Sequence, residues 1–166
     1  MKKLFMLLVC GLLLCASGCA ADETPSSGLP VIEVAPEDVD AKLAELSEGA
    51  QGETSLFGYP ILPGWLADLN GDGVYELYMN LSFGSGICND LVQYYDPATG
   101  QASMLNERMI TDYYAMEYQG ALYIIARPYT GEDAAIACRA VLTDGKLACE
   151  DIDAELQEAV LAAQKQ

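Results

Sequence analysis

Nine consecutive residues carry the clearest chemistry in the chain: Asp68-Leu69-Asn70-Gly71-Asp72-Gly73-Val74-Tyr75-Glu76. Oxygen-bearing side chains stand at positions 1, 3, 5 and 9 of this run, with glycine at position 6. A hard cation such as calcium takes about six to eight oxygen ligands at ~2.4 Å, and a tightly wound loop delivers them by turning alternate side chains inward. Gly73 permits the sharp turn, Val74 offers its carbonyl, and Glu76 closes the set with one or both carboxylate oxygens. Without a cation, three carboxylates would converge and repel one another. A plainer reading is a polar hairpin turn, because Asn-Gly and Asp-Gly are favoured turn pairs. Such a turn needs only two of these residues and leaves Asp68 and Glu76 without a purpose. Asp68, Asn70, Asp72, Val74 and Glu76 are therefore the expected calcium ligands, in a structural rather than a catalytic role.

The spacing is close to that of an EF-hand, but the acidic last position of that loop is Met79 here. A strand pattern, with Leu77, Met79 and Leu81 on one face, begins where a helix would follow. The run instead resembles the calcium loop of integrin alpha-propeller repeats of the FG-GAP and VCBS type, in which D-x-[DN]-x-D-G-x-x-[DE] sits between two strands. The pattern occurs once in this chain. The resemblance therefore implies a metal-bearing β-hairpin and not a whole propeller, and it transfers no ligand-binding activity.

Other catalytic chemistry is thinly represented. The chain has no histidine, which removes Ser-His-Asp and Cys-His nucleophile activation and histidine-ligated zinc or copper. Phe83-Gly84-Ser85-Gly86 lacks the G-x-S-x-G spacing of a nucleophile elbow and the Gly-Lys-Ser/Thr of a phosphate loop, so it reads as a glycine-rich bulge or turn. Acidic residues could include a glycosidase-type pair, but none is marked by its context. Ten tyrosines against three phenylalanines allow an exposed sheet face built from Tyr78, Tyr94, Tyr95, Tyr113, Tyr114 and Tyr118, able to bind a glycan or peptide. Ordinary cross-strand packing is the competing reading of the same residues.

The N-terminus reads as an export signal. Lys2 and Lys3 precede an apolar run from Leu4 to Cys15, which is the length of a signal h-region and shorter than the ~20 residues that span a bilayer. Ala16-Ser17-Gly18-Cys19 then resembles the bacterial lipobox, where small residues precede a cysteine that receives diacylglycerol before cleavage; Ala16 stands where that family usually has leucine. The resemblance implies lipidation of Cys19 and a signal peptide over residues 1–18. An ordinary signal cut after Ala20, with Gly18 and Ala20 as the small pair, also leads to export. Residues 19–30, rich in Pro, Ser and Gly, read as a flexible tether, and residues 31–166 as one folded domain. Lys2 and Lys3 lie ahead of Cys19, whereas all 25 acidic residues lie beyond it, so the exported part is more acidic than the whole chain's net charge of −17. Such a surface repels nucleic acid and attracts cations.

The elements that must position the loop follow from periodicity. Pro36 to Glu48 reads as a helix with Val39, Leu43 and Leu46 as its apolar stripe and Gly49 at its end. Ala154 to Gln164 reads as a second, capped by Asp153, with Ile152, Leu156 and Val160 facing inward. Between them, period-two patterns predict strands at Trp65–Ala67, Glu76–Ser82, Asp90–Tyr95, Gln101–Leu105, Tyr113–Tyr118, Leu122–Pro128, Ala135–Leu142 and Lys146–Glu150. The fold class is thus mainly β (α+β), an antiparallel β meander with one N-terminal and one C-terminal helix. Cys138 and Cys149 flank the turn around Asp144-Gly145. A four-residue loop would place them opposite one another, while a two-residue loop would place Ala140 opposite Cys149. A disulfide between them suits an exported protein, two reduced core cysteines being the alternative, and Cys88 is left as a buried thiol.

The expectation is a membrane-anchored, exported lipoprotein with a calcium-stabilised β-rich domain, held at the outer face of the bacterial cell membrane, or facing a periplasm where two membranes exist. No catalytic motif marks it as an enzyme. Its expected partners are the membrane, through Cys19, and an extracellular protein or glycan. A carboxylate-dependent hydrolase and a sensory or inhibitory module are the alternatives.

Overall fold

The computed structural model describes residues 29–49, 55–84, 86–129 and 134–164. Cys19, the signal segment and nearly all of the tether lie outside the described residues. The fold opens with strand β1 (Ile32–Val34), a single 3-10 turn at Pro36–Asp38 and helix α1 (Val39–Leu46). Pro36 sits in the first turn, where its missing N–H has no partner to lose. Val39 and Leu43 are buried and Leu46 packs beside them, so one stripe holds α1 to what lies beneath.

That support is a six-stranded antiparallel sheet. β1 pairs with β3 (Gly64–Ala67), β3 with β4 (Glu76–Ser82), β4 with β5 (Asp90–Asp96) and β5 with β6 (Gln101–Leu105), while the two-residue β2 (Tyr59–Pro60) pairs with the far end of β4. A second, four-stranded sheet runs in the order β10 (Lys146–Glu150), β9 (Ile136–Thr143), β8 (Ala121–Pro128), β7 (Thr111–Tyr118). From β3 to β6 and from β7 to β10, consecutive strands are neighbours, so each sheet is an antiparallel meander.

The sheets stack on each other. Tyr78, Val92 and Tyr94 of the first meet Ala115, Leu122, Ile124, Cys138, Ala140 and Leu147 of the second in one buried cluster. Helix α1 covers the outer face of the first sheet over Leu77, Met79, Leu81, Leu91 and Tyr95. Helix α2 (Ala154–Ala163) covers the outer face of the second over Tyr123, Ile125 and Ala137, through Val160 and Leu156. The Asp153 carboxylate accepts the Leu156 N–H at 2.9 Å and caps that helix. The architecture is four layers: helix, sheet, sheet, helix. Among the described residues no helix is long and apolar enough to cross a membrane.

Side chains also join the sheets. The Asn80 amide imitates a neighbouring strand: its Oδ1 accepts the Ala115 N–H at 2.6 Å, and its Nδ2 donates to the Ala115 carbonyl at 2.9 Å and the Pro63 carbonyl at 2.7 Å. Trp65 Nε1 donates to the same Ala115 carbonyl at 3.0 Å. Backbone groups that would otherwise be orphaned at the edge of β7 are thus satisfied.

This stacking overturns the exposed tyrosine face. Tyr78 and Tyr94 lie between the sheets and Tyr95 beneath α1, all three fully buried, while Tyr113 packs against the inter-sheet cluster and Tyr114 and Tyr118 against the α2 layer. Both faces of each sheet are covered, so period-two tyrosines point into one core or another.

The hairpin β9–β10 turns on two residues, Asp144 and Gly145, both with positive φ (52° and 70°), as a tight hairpin turn requires. Thr143 therefore faces Lys146, and Cys149 faces Ala140. Cys138 is the diagonal neighbour of Cys149, with Cα atoms 5.4 Å apart, and a disulfide joins the two. Cys88 is a buried free thiol.

Candidate metal centre

The loop between β3 and β4 is wound around one carboxylate. Asp68 leaves β3 buried, and its Oδ1 accepts the N–H groups of Gly71 at 2.7 Å and Asp72 at 3.1 Å, while Oδ2 accepts that of Gly73 at 3.0 Å. Gly71 and Gly73 have φ of 76° and 84°, a left-handed backbone that costs glycine least. Two smaller turns tighten the coil: Asn70 Oδ1 accepts the Asp72 N–H, and Asp72 Oδ1 accepts the Val74 N–H, both at 2.8 Å. Local side-chain to backbone bonds of this kind are what short Asp and Asn side chains make in turns.

Glu76 enters from the first residue of β4 and is the most enclosed of the group, at 1 % exposure. Its Oε2 accepts the Leu69 N–H at 2.9 Å and the Tyr78 hydroxyl at 3.1 Å. Its Oε1 is buried with no hydrogen-bond partner among the described residues. Burial pushes the Glu76 carboxyl up to about 7, with the charges of Asp68 and Asp96 adding to the rise against the two hydrogen bonds that oppose it. Burial and the adjoining Glu76 push the Tyr78 phenol far up, so it stands as a donor at all ordinary pH.

Asp68, Asp72 and Glu76 each bring a carboxylate oxygen to within 4.8 Å of the other two. That spacing is close to what one calcium ion with oxygen bonds of ~2.4 Å bridges, so the three form a possible metal-binding group. Asp68 and Glu76 are buried and Asp72 is exposed, giving a site with two inner walls and one open side. Asn70 and Val74 lie on the exposed turn of the same loop. The donor set is entirely oxygen, which suits a hard cation and not a thiophilic one. A buried carboxylate oxygen without a donor is costly unless a proton or a cation meets it; Oε1 is the atom that fits the group best.

Two neighbours were not legible as part of the centre. Tyr78 is marked only by standing two residues beyond Glu76 on a strand, which puts both on one face. Asp96 lies at the end of β5 and spends its oxygens on the following turn, accepting from the Ala98 and Thr99 N–H groups and the Thr99 hydroxyl.

Comparison of the chain with protein-family models, with curated proteins and with solved structures gives no match.

Proposed function

We propose that this protein is an exported lipoprotein, anchored through Cys19, whose β domain is stabilised by calcium held by Asp68, Asn70, Asp72, Val74 and Glu76. The unpartnered Oε1 of Glu76, buried beside two further carboxylates, carries the metal part of this reading. The export part rests on the Lys2-Lys3 and Leu4–Cys15 segments ahead of Ala16-Ser17-Gly18-Cys19. The domain is a non-enzymatic binding or scaffold module. Asp68, the carboxylate at the centre of the loop, accepts three backbone N–H groups, and no histidine is available to activate a nucleophile.

Calcium that binds only the folded state adds ~2.7 kcal/mol at a hundredfold excess over Kd, or on the order of 10 °C in Tm for a domain of this size. Calorimetric melting with calcium and with chelator measures it. Equal Tm in both would remove the metal from the reading. Mass spectrometry of the membrane fraction tests the anchor through a diacylglycerol adduct on Cys19; a mature chain beginning at Ala21 would replace the lipoprotein with a secreted protein.

A further inference from the structure

We propose that Tyr78 is a positioning residue of the metal centre and that Glu76 meets the ion through one oxygen only, Oε1. The inference rests on the calcium reading above and specifies how that site is built. A carboxylate oxygen has two lone pairs in the plane of the group. On Oε2 both are spent, one on the Leu69 N–H and one on the Tyr78 hydroxyl. On Oε1 both are open. Bidentate binding would require Oε2 to surrender one of its donors, and both donors are held in place. Leu69 is backbone of the loop itself. Tyr78 is fully buried, with its ring 5.4 Å from that of Tyr94 across the β4–β5 pair. Its hydroxyl is carried on a rigid ring and has no solvent to turn toward.

The same accounting assigns the second buried ligand. Asp68 Oδ1 accepts two N–H groups and is full, whereas Oδ2 accepts one. The inner walls of the site are therefore two single oxygens, Asp68 Oδ2 and Glu76 Oε1. The remaining ligands come from the open side, where Asp72, the Val74 carbonyl, Asn70 and water complete the set. Tyr78 acts on the ion only through Glu76, by occupying the oxygen that would otherwise swing in.

Infrared difference spectra of the full chain with and without calcium read the carboxylate directly, the Glu76 band being assigned by its loss in Glu76→Gln. The wild-type antisymmetric stretch is expected at the monodentate position. In Tyr78→Phe it moves toward the bidentate position and calorimetric calcium affinity falls about tenfold, the usual effect of losing a group that orients a metal ligand. Tyr118→Phe, on the outer face of the second sheet, leaves the band unchanged and affinity within about twofold on the same scale. A bidentate Glu76 band in the wild type overturns the proposal without any variant, so a poorly folding Tyr78→Phe does not protect it. Tyr78→Phe with unaltered band and affinity also overturns it. A wild type that binds no calcium at all sinks the metal reading instead, a distinguishable result.

Discussion

The two ends of β4 are built from opposite materials. At its start, the Asp68–Glu76 loop is polar, and its backbone N–H groups at Leu69, Gly71, Asp72, Gly73 and Val74 are all taken by side-chain oxygens. Its left-handed positions are glycines. At the other end, the Phe83–Asn89 loop meets the turn before β7 through the Met109 N–H and the Cys88 carbonyl, 3.2 Å apart. There Cys88 and Met109 themselves hold positive φ, 49° and 75°, and Ile87, Met109, Ile110 and Tyr129 are exposed. One end converges carboxylates and spends little on backbone strain, while the other carries strained non-glycine residues and exposed apolar side chains among charges of both signs, Asp90, Asp112 and Arg108. The difference shows where each end draws its order from. The first is shaped by local hydrogen bonds that still leave one buried anion to be neutralised; the second is imposed by the strands it connects.

Breaking the first end has the largest expected effect. Asp68→Ala removes the acceptor of three N–H groups and one inner wall of the metal site. The lost hydrogen bonds cost ~1–3 kcal/mol in chelator, and saturating calcium widens the gap to the wild type by roughly a further 2.7 kcal/mol, because the variant no longer responds. Asp68→Asn keeps one acceptor oxygen for Gly71 and Asp72 but sets an NH2 group against the Gly73 N–H, so it should lose the calcium-dependent part and a smaller share of the part seen in chelator. Chemical denaturation in calcium and in chelator separates the two; a variant that still gains stability from calcium would move the site elsewhere.

The loop's run of Asp, Asn and Gly was legible because its geometry is local: each side chain bonds backbone no more than five residues away. The strands β3 to β10 and helix α2 were legible to within two residues at their ends, since period two and period 3.6 are also local; the first helix was expected from Pro36, where a 3-10 turn stands instead and α1 begins three residues later. β1 and β2 escaped because three and two residues are too short for any period. The second covering of each sheet escaped for a different reason. β4 reads Glu-Leu-Tyr-Met-Asn-Leu-Ser, an alternation that looks half solvent-exposed, yet all seven residues are buried. Its polar face is the inner one, where Glu76 meets the loop and Asn80 is bonded to Ala115 of the opposite sheet. Polar residues with dedicated partners counterfeit a wet face. The exposed tyrosine face fails for the same reason, and ordinary packing, the competing reading of those residues, is the one that holds.

The next effect in size is a pH dependence that belongs to the loop end alone. In the metal-free fold the Glu76 carboxyl is raised from 4.5 to about 7, chiefly by burial. The protonated form is the one the fold favours, so this contribution to stability is complete below the unfolded value and is lost as pH rises toward 7. Metal-free stability should therefore fall between pH 5 and pH 7.5 by on the order of 1–3 kcal/mol. Calcium binds the ionised form and removes the penalty, so the slope should flatten or reverse in saturating calcium. Glu76→Gln should abolish the slope in chelator, leaving whatever the other carboxylates contribute. A wild-type Tm in chelator that rises steadily over this window would contradict the burial of Glu76.

The smallest expected effect tests the strained end. Met109 holds φ of 75° with its side chain 57 % exposed, so the fold gains little from the side chain while bearing its backbone cost. Glycine adopts that conformation without a Cβ clash, and a non-glycine residue there costs on the order of 1 kcal/mol or more. Glycine also loses more freedom on folding, which offsets part of the gain. Met109→Gly should therefore stabilise by ~0.5–1 kcal/mol, equally with calcium and with chelator, because Met109 lies at the opposite end of β4 from the loop. Paired denaturation curves for wild type and variant decide it. A destabilised variant would mean that the methionine side chain, and not the turn, holds that end together; a calcium-dependent difference would mean that the two ends of β4 are coupled through the strand.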